Sequence, residues 1–231
     1  MDPDGATRIL TLAFGLGLLH ALDADHIMAV SGLACTRPGL RTSLGFCARW
    51  AVGHGLTLLT IGGAVLLLGM AIPKDLSHLA EQMVGVVLIA IGLWVLWDLW
   101  RRRAHLHYHE HDHLPRHAHW HRHSSTEVAD HESVSHHHRH GAVMVGVLHG
   151  TAGSAPLLAL LPVGSYGNPW LGLAYLVVFG LGVLLAMLIC GGLMGTAFAA
   201  VTRRGDGLLG ATRGVVALGS MAFGLWWLVG P

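Results

Sequence analysis

Six apolar stretches, each close to or above the roughly 20 residues an α-helix needs to cross a bilayer core, run through this 231-residue chain near 8–34, 43–72, 79–100, 142–163, 169–201 and 211–229. Only helices and closed barrels satisfy their backbone groups in lipid, and apolar runs this long, without strand alternation, select helices. Turn and polar residues separate them, among them Thr36-Arg37-Pro38-Gly39, Pro73-Lys74-Asp75 and Arg203-Arg204-Gly205-Asp206-Gly207. Charged residues make up 12% of the chain, about half the share of a soluble domain. The chain reads as an all-α integral membrane protein with six transmembrane helices.

Several classes fall away on composition. Lys+Arg 14 against Asp+Glu 13 leaves a net charge of +1, too little for a nucleic-acid partner. A single lysine, Lys74, and no GxxxxGK[ST] exclude ATP coupling through a P-loop, and the lack of HExxH argues against an intramembrane metallohydrolase. No enzyme activity and no organic cofactor are expected. Asp2 and Asp4 stand where a signal peptide carries its basic region, so the first apolar stretch is expected to stay in the mature protein.

The 19 histidines are the compositional anomaly, and 14 of them lie between His105 and His140 in the one long polar segment, residues 101–140. Its composition supports no packed core, so it is expected to lack regular structure until something binds it. His105, His107, His109, His111 and His113 alternate with other residues, as do His117, His119, His121 and His123, and His136, His137, His138 and His140 follow. Overlapping pairs of neutral imidazoles in a flexible chain make a multi-site chelator for borderline divalent metals. Below about pH 6 protonation should release the metal. A linker of low complexity without function is the alternative.

If the spans alternate, Arg37, Arg41, Arg101, Arg102, Arg103, Arg116, Arg122, Arg139, Arg203, Arg204 and Arg213 share one side and Arg8 and Lys74 the other, with Arg49 inside the second span and expected to snorkel. Positive charge marks the cytoplasmic side. A multi-pass protein of the cell inner membrane is expected, with the histidine-rich loop in the cytoplasm and both termini outside.

The chain also repeats itself. His149 lies 129 positions after His20, and the same gapless offset relates Gly17 to Gly146, Gly53 to Gly182, Gly62-Gly63 to Gly191-Gly192, Gly85-Val86-Val87 to Gly214-Val215-Val216 and Trp97 to Trp226. Three spans per repeat is an odd number, so the halves, residues 1–100 and 141–231, are expected as inverted three-helix repeats around a site near the midplane. An ancestral duplication without transport is the alternative. A membrane thiol–disulfide carrier would need paired cysteines, but the offset sends Cys35 to Gly164, Cys47 to Leu176 and Cys190 to Ile61.

The first span contains His20-Ala-Leu-Asp23-Ala-Asp25-His26. Ionisable groups deep in a span cost roughly 2.5–3.5 kcal/mol each even on the lenient insertion scale, and a cation accounts for that expense. On a continuous helix, Asp23 and His26 share the face of His20, while Asp25 falls about 140° away. Either Asp25 serves another partner or the helix unwinds. The equivalent stretch of the second half, His149-Gly150-Thr151-Ala152-Gly153-Ser154-Ala155-Pro156, favours unwinding. His54, between Gly53 and Gly55 in the second span, lies deep enough to face them. The candidate site is His20, Asp23, Asp25, His26, His54 and His149. Imidazole with carboxylate suits nickel, cobalt, zinc or iron(II). A metal-free proton relay uses the same residue types, and His54 and His149 also read as core histidines.

His20 to His26 fits the H-x4-D-H motif of the nickel/cobalt transporter family, and Gly53-His54-Gly55-Leu56-Thr57 is similar to that family's glycine-histidine motif. The resemblance implies an integral membrane carrier for Ni²⁺ and Co²⁺ in which His20, Asp25, His26 and His54 matter for transport. Two features depart from it. His149-Gly150-Thr151 lacks an acidic residue, and the histidine-rich loop is similar to that of nickel/cobalt efflux proteins. Six-span relatives of the family are grouped with urease maturation. Entry of a divalent cation gains about 4.6 kcal/mol per 100 mV, so potential-driven uptake is expected. Proton-coupled efflux through Asp23 or Asp25, or a non-translocating metal chaperone for urease or hydrogenase maturation, are the alternatives. The expected partners are Ni²⁺ or Co²⁺ as substrate, the lipid bilayer and a cytoplasmic nickel chaperone.

Overall fold

The computed structural model describes residues 3–68, 74–103, 105–111, 114–121, 137–151 and 168–230. Among these are seven helices and one β-hairpin: α1 (Pro3–His20), α2 (Ala24–Thr36), α3 (Leu40–Leu68), α4 (Lys74–Arg103), β1 (His105–His111), β2 (Leu114–His121), α5 (His137–Thr151), α6 (Pro169–Arg203) and α7 (Asp206–Val229). Helix α3, residues Glu81–Arg101 of α4, α6 and α7 are each long and apolar enough to span a bilayer, and α1 with α2 forms a fifth candidate bent by 53° at its break. The chain is a multi-pass, all-α protein in its membrane part. Large apolar side chains such as Leu56, Leu181, Leu193 and Val215 are exposed on its flanks, as a lipid-facing surface requires.

Two expectations change, and the unwinding favoured for the first span is found. The first span is two helices. The segment 101–140 is not structureless throughout: α4 runs to Arg103, α5 starts at His137, and between them β1 pairs antiparallel with β2, matching His105 to His121, His107 to His119 and His109 to His117. Alternation of histidine with other residues is the period of a strand, so the pattern read as a chelator is also a ribbon pattern. His113, His123 and His136 lie outside the described residues. The fourth expected span is described only as far as Thr151; the rest of it, 152–163, lies outside them.

The second correction concerns Arg213, counted above among the loop charges. It is buried in α7, where its Nε donates to the Cys35 carbonyl at 2.7 Å, its guanidinium donates to the Thr36 carbonyl at 3.2 Å, and Nη1 lies 3.6 Å from an Asp98 carboxylate oxygen. It therefore supplies the donors that the last carbonyls of α2 lack inside the helix, at the end where the dipole favours a cation.

Packing repeats at the sequence offset. Helix α3 packs against α6 and α5, α1 against α6, and α4 against α7. A Cβ on Gly17 would run into the Phe179 carbonyl and the Val183 amide, and one on Gly146 into the Trp50 carbonyl and the His54 amide. Each member of the second set is 129 positions from one of the first. Gly53 against Val143 and Gly182 against Phe14 form a second such pair. Small residues let membrane helices approach at backbone distance, and here they bring α1 to α6 and α5 to α3.

Candidate metal centre

Helix α1 ends at His20 without proline or glycine. Leu22 and Asp23 donate three residues back, to Leu19 and His20, and Asp23 then turns to extended backbone (φ −59°, ψ 148°). Its carbonyl accepts the first hydrogen bond of α2, from Ile27, but its side chain does not cap α2. The carboxylate instead lies 2.8 Å from His20 Nδ1, off the geometry of a hydrogen bond. The break re-aims the carboxylates: Asp25 does not stand opposite His20, because it now opens a new helix.

His20, His26 and His54 each present a ring nitrogen within 4.8 Å of the others. His26 meets His20 edge-on at 4.9 Å between ring centroids and His54 at 5.5 Å, and His20 stacks on His54 at 5.4 Å. His54 sits midway along α3, 14 residues from Leu40 and 14 from Leu68. His149, at the end of α5, joins from the second half, its ring 5.2 Å from that of His26. Asp25 bridges them, with one oxygen 3.1 Å from His26 Nδ1 and the other 3.8 Å from His149 Nε2. All four histidines and Asp25 are buried. Asp23 is half exposed and reaches His20. His78 is exposed on α4, away from this group.

Hydrogen bonding sets the rings. A carboxylate or carbonyl can only accept, so His26 Nδ1 donates to Asp25 and His149 Nδ1 donates to the Val145 carbonyl at 3.0 Å. In the neutral rings Nε2 then carries the lone pair, the arrangement by which a carboxylate or carbonyl orients a metal-binding imidazole. Six buried nitrogens, Nδ1 and Nε2 of His20 and His54 and Nε2 of His26 and His149, have no hydrogen-bond partner among the described residues. In native proteins buried polar atoms are as a rule paired. Three nitrogens bound to one metal at 2.0–2.1 Å stand about 3.4–3.6 Å apart, so the triad, now within 4.8 Å, would have to close by up to about 1.4 Å around an ion.

Two aromatic residues that the sequence did not single out wall this cage. Trp50, fully buried, stacks on His26 at 5.6 Å and meets His149 edge-on at 4.9 Å, while Phe179 lies 5.7 Å from His20. The signal was present: Phe179 is 129 positions after Trp50, as His149 is after His20.

The sequence pattern described as cytochrome C biogenesis protein transmembrane region matches residues 26–226. The chain belongs to that family. The match runs from the second half of the broken first span to the last helix, taking in His26, His54 and His149 and leaving His20 just outside. The chain is also similar to the urease accessory protein UreH of Bacillus sp. (strain TB-90), with 31% identity over 204 residues, 88% of this chain and 83% of that protein. No solved structure matches it. Within this family's scaffold the three cysteines of the chain are free thiols, with Cys35 and Cys47 buried.

Proposed function

We propose that this member of the cytochrome c biogenesis membrane family moves a divalent transition-metal cation, Ni²⁺ or Co²⁺, across the cell inner membrane. The observation that carries the reading is the group of six buried imidazole nitrogens around Asp25 that make no hydrogen bond among the described residues, brought together from the end of α1, the start of α2, the middle of α3 and the end of α5. Lone pairs converging on a buried centre cost stability unless a cation or other partner occupies it. Imidazole with one carboxylate is a nitrogen-rich set suited to borderline metals rather than to magnesium or calcium.

The protein is a carrier rather than an enzyme, and its frame is six spans in two inverted repeats. The glycine contacts and aromatic walls that recur at an offset of 129 support this reading. The membrane potential drives uptake, with the loop at the cytoplasmic, arginine-rich side and both termini outside. The paired histidines of β1 and β2 buffer the arriving metal, which passes to a cytoplasmic nickel chaperone. Resemblance to the nickel/cobalt transporter family supports the same residues.

Flux of radiolabelled nickel into proteoliposomes under an imposed inside-negative potential tests this, with uptake expected in the intact protein and lost in His26→Ala and His54→Ala. A second reading rests on the relative's name: urease is a nickel enzyme, and an accessory protein can hold metal for it without translocation. Metal binding without flux would establish that reading; flux only against an imposed proton gradient would establish efflux.

A further inference from the structure

A cavity of about 380 Å³ opens between α2, α3, α4 and α5 at the end of the molecule that carries Arg37. Its walls are mostly apolar, with Leu33, Phe46, Ile91 and Trp94 among them, yet Arg37 and Arg49 both line it and no acidic residue among the described residues does. Arg49 belongs to the tenth position of α3, about 13 Å along the helix from its first residue. Its guanidinium folds back along Gly45 toward that first turn, as a snorkelling side chain does. Its Nε is buried with no hydrogen-bond partner among the described residues.

A guanidinium with a buried, unpaired donor in an apolar cavity calls for an anion, and a planar fork of donors matches phosphate. The geometry adds the rest of the ligand. Arg37 follows the end of α2 and is exposed, so the two cations mark a line from the membrane interface inward, and the apolar walls continue from it. A hydrated ion gains nothing from those walls, whereas hydrocarbon does. Basic pockets between transmembrane helices bind anionic lipid headgroups. We propose that this cavity holds an anionic phospholipid, its phosphate on Arg37 and Arg49 and an acyl chain along Leu33, Phe46, Ile91 and Trp94. The site is separate from the histidine cage and stands whether or not the protein carries metal.

The test is thermal unfolding of the full-length protein in nanodiscs of phosphatidylcholine alone or with phosphatidylglycerol added. Phosphatidylglycerol is expected to raise the midpoint by roughly 3 °C in the native chain and in Arg204→Gln, an exposed arginine outside the cavity. Arg49→Gln and Arg37→Gln should lose most of that gain, and Arg37, at the surface, can change without risk to folding. An undiminished gain in both variants, or an equal loss in Arg204→Gln, overturns the site. Inorganic phosphate in phosphatidylcholine discs is the second arm. A rise of the same size there, with nothing added by phosphatidylglycerol, overturns the lipid as the occupant.

Discussion

Trp50 meets the imidazole of His149 edge-on, ring centroids 4.9 Å apart, and so closes the cage on the side of α3 and α5. Its ring also lies flat on His26 and touches Phe46, which lines the cavity one turn away. Truncating it should do two things. Trp50→Ala is expected to destabilise the protein by about 3–5 kcal/mol, the cost of emptying a large buried site, and to speed release of bound metal. Trp50→Phe should recover most of the stability. Chemical unfolding in micelles measures the first effect and stopped-flow metal release the second; unchanged release in Trp50→Ala would remove the ring from the exchange path.

The histidines should separate binding from folding. Among the described residues His54 makes no hydrogen bond through either ring nitrogen, so His54→Ala is expected to abolish high-affinity nickel binding while costing no more than an ordinary cavity. Asp25 accepts from His26 Nδ1 and so orients that ring, and Asp25→Asn should weaken binding roughly tenfold to a hundredfold, the usual effect of a lost orienting partner. Titration calorimetry on the purified protein reads both.

The glycine pairs make a symmetric prediction. Gly17→Ala drives a methyl into the Phe179 carbonyl and Gly146→Ala into that of Trp50, and overpacking of this kind costs about 1–3 kcal/mol. The two variants should lose similar stability in denaturant unfolding. A large loss in one with none in the other would break the equivalence of the two helix crossings.

Arg213 holds the end of α2 by two hydrogen bonds and faces Asp98. Arg213→Met is expected to cost about 3–5 kcal/mol, because a partly buried carboxylate and two carbonyls lose their cation. Adding Asp98→Asn to it should restore part of that loss, and a double-mutant cycle by thermal unfolding measures the coupling.

Deleting residues 104–136 should leave membrane insertion and the affinity of the cage unchanged and lower the number of metal ions bound per chain. The ions lost should be those released below about pH 6, where free imidazole protonates. Metal content by elemental analysis across pH, and cellular metal accumulation, check this; a full metal complement without the segment refutes the buffering role.

Much of the site was legible because lipid penalises what water forgives. His20, Asp25, His26 and His54 stood out as ionisable groups in apolar spans, and that cost is readable without coordinates. The repeat offset located His149. Trp50 and Phe179 carry the repeat offset but were not legible as walls from it, because an aromatic residue in a membrane span is unremarkable until its neighbours are known. Arg213 was misread for the opposite reason: a charge near a span end looks like a loop charge, and only the neighbouring carbonyls of α2 show that it is a buried clasp.

Hydropathy and spacing alone therefore determined a membrane-spanning helical chain, its internal offset and the residue types at its centre, since each follows from local chemistry and the length of a bilayer. Tertiary structure decided where α1 breaks, which way Asp25 points, and that rings from α1, α2, α3 and α5 converge. Those depend on α1 meeting α6 across Gly17 and α5 meeting α3 across Gly146 at backbone distance, relations between segments far apart in the chain that no local pattern encodes.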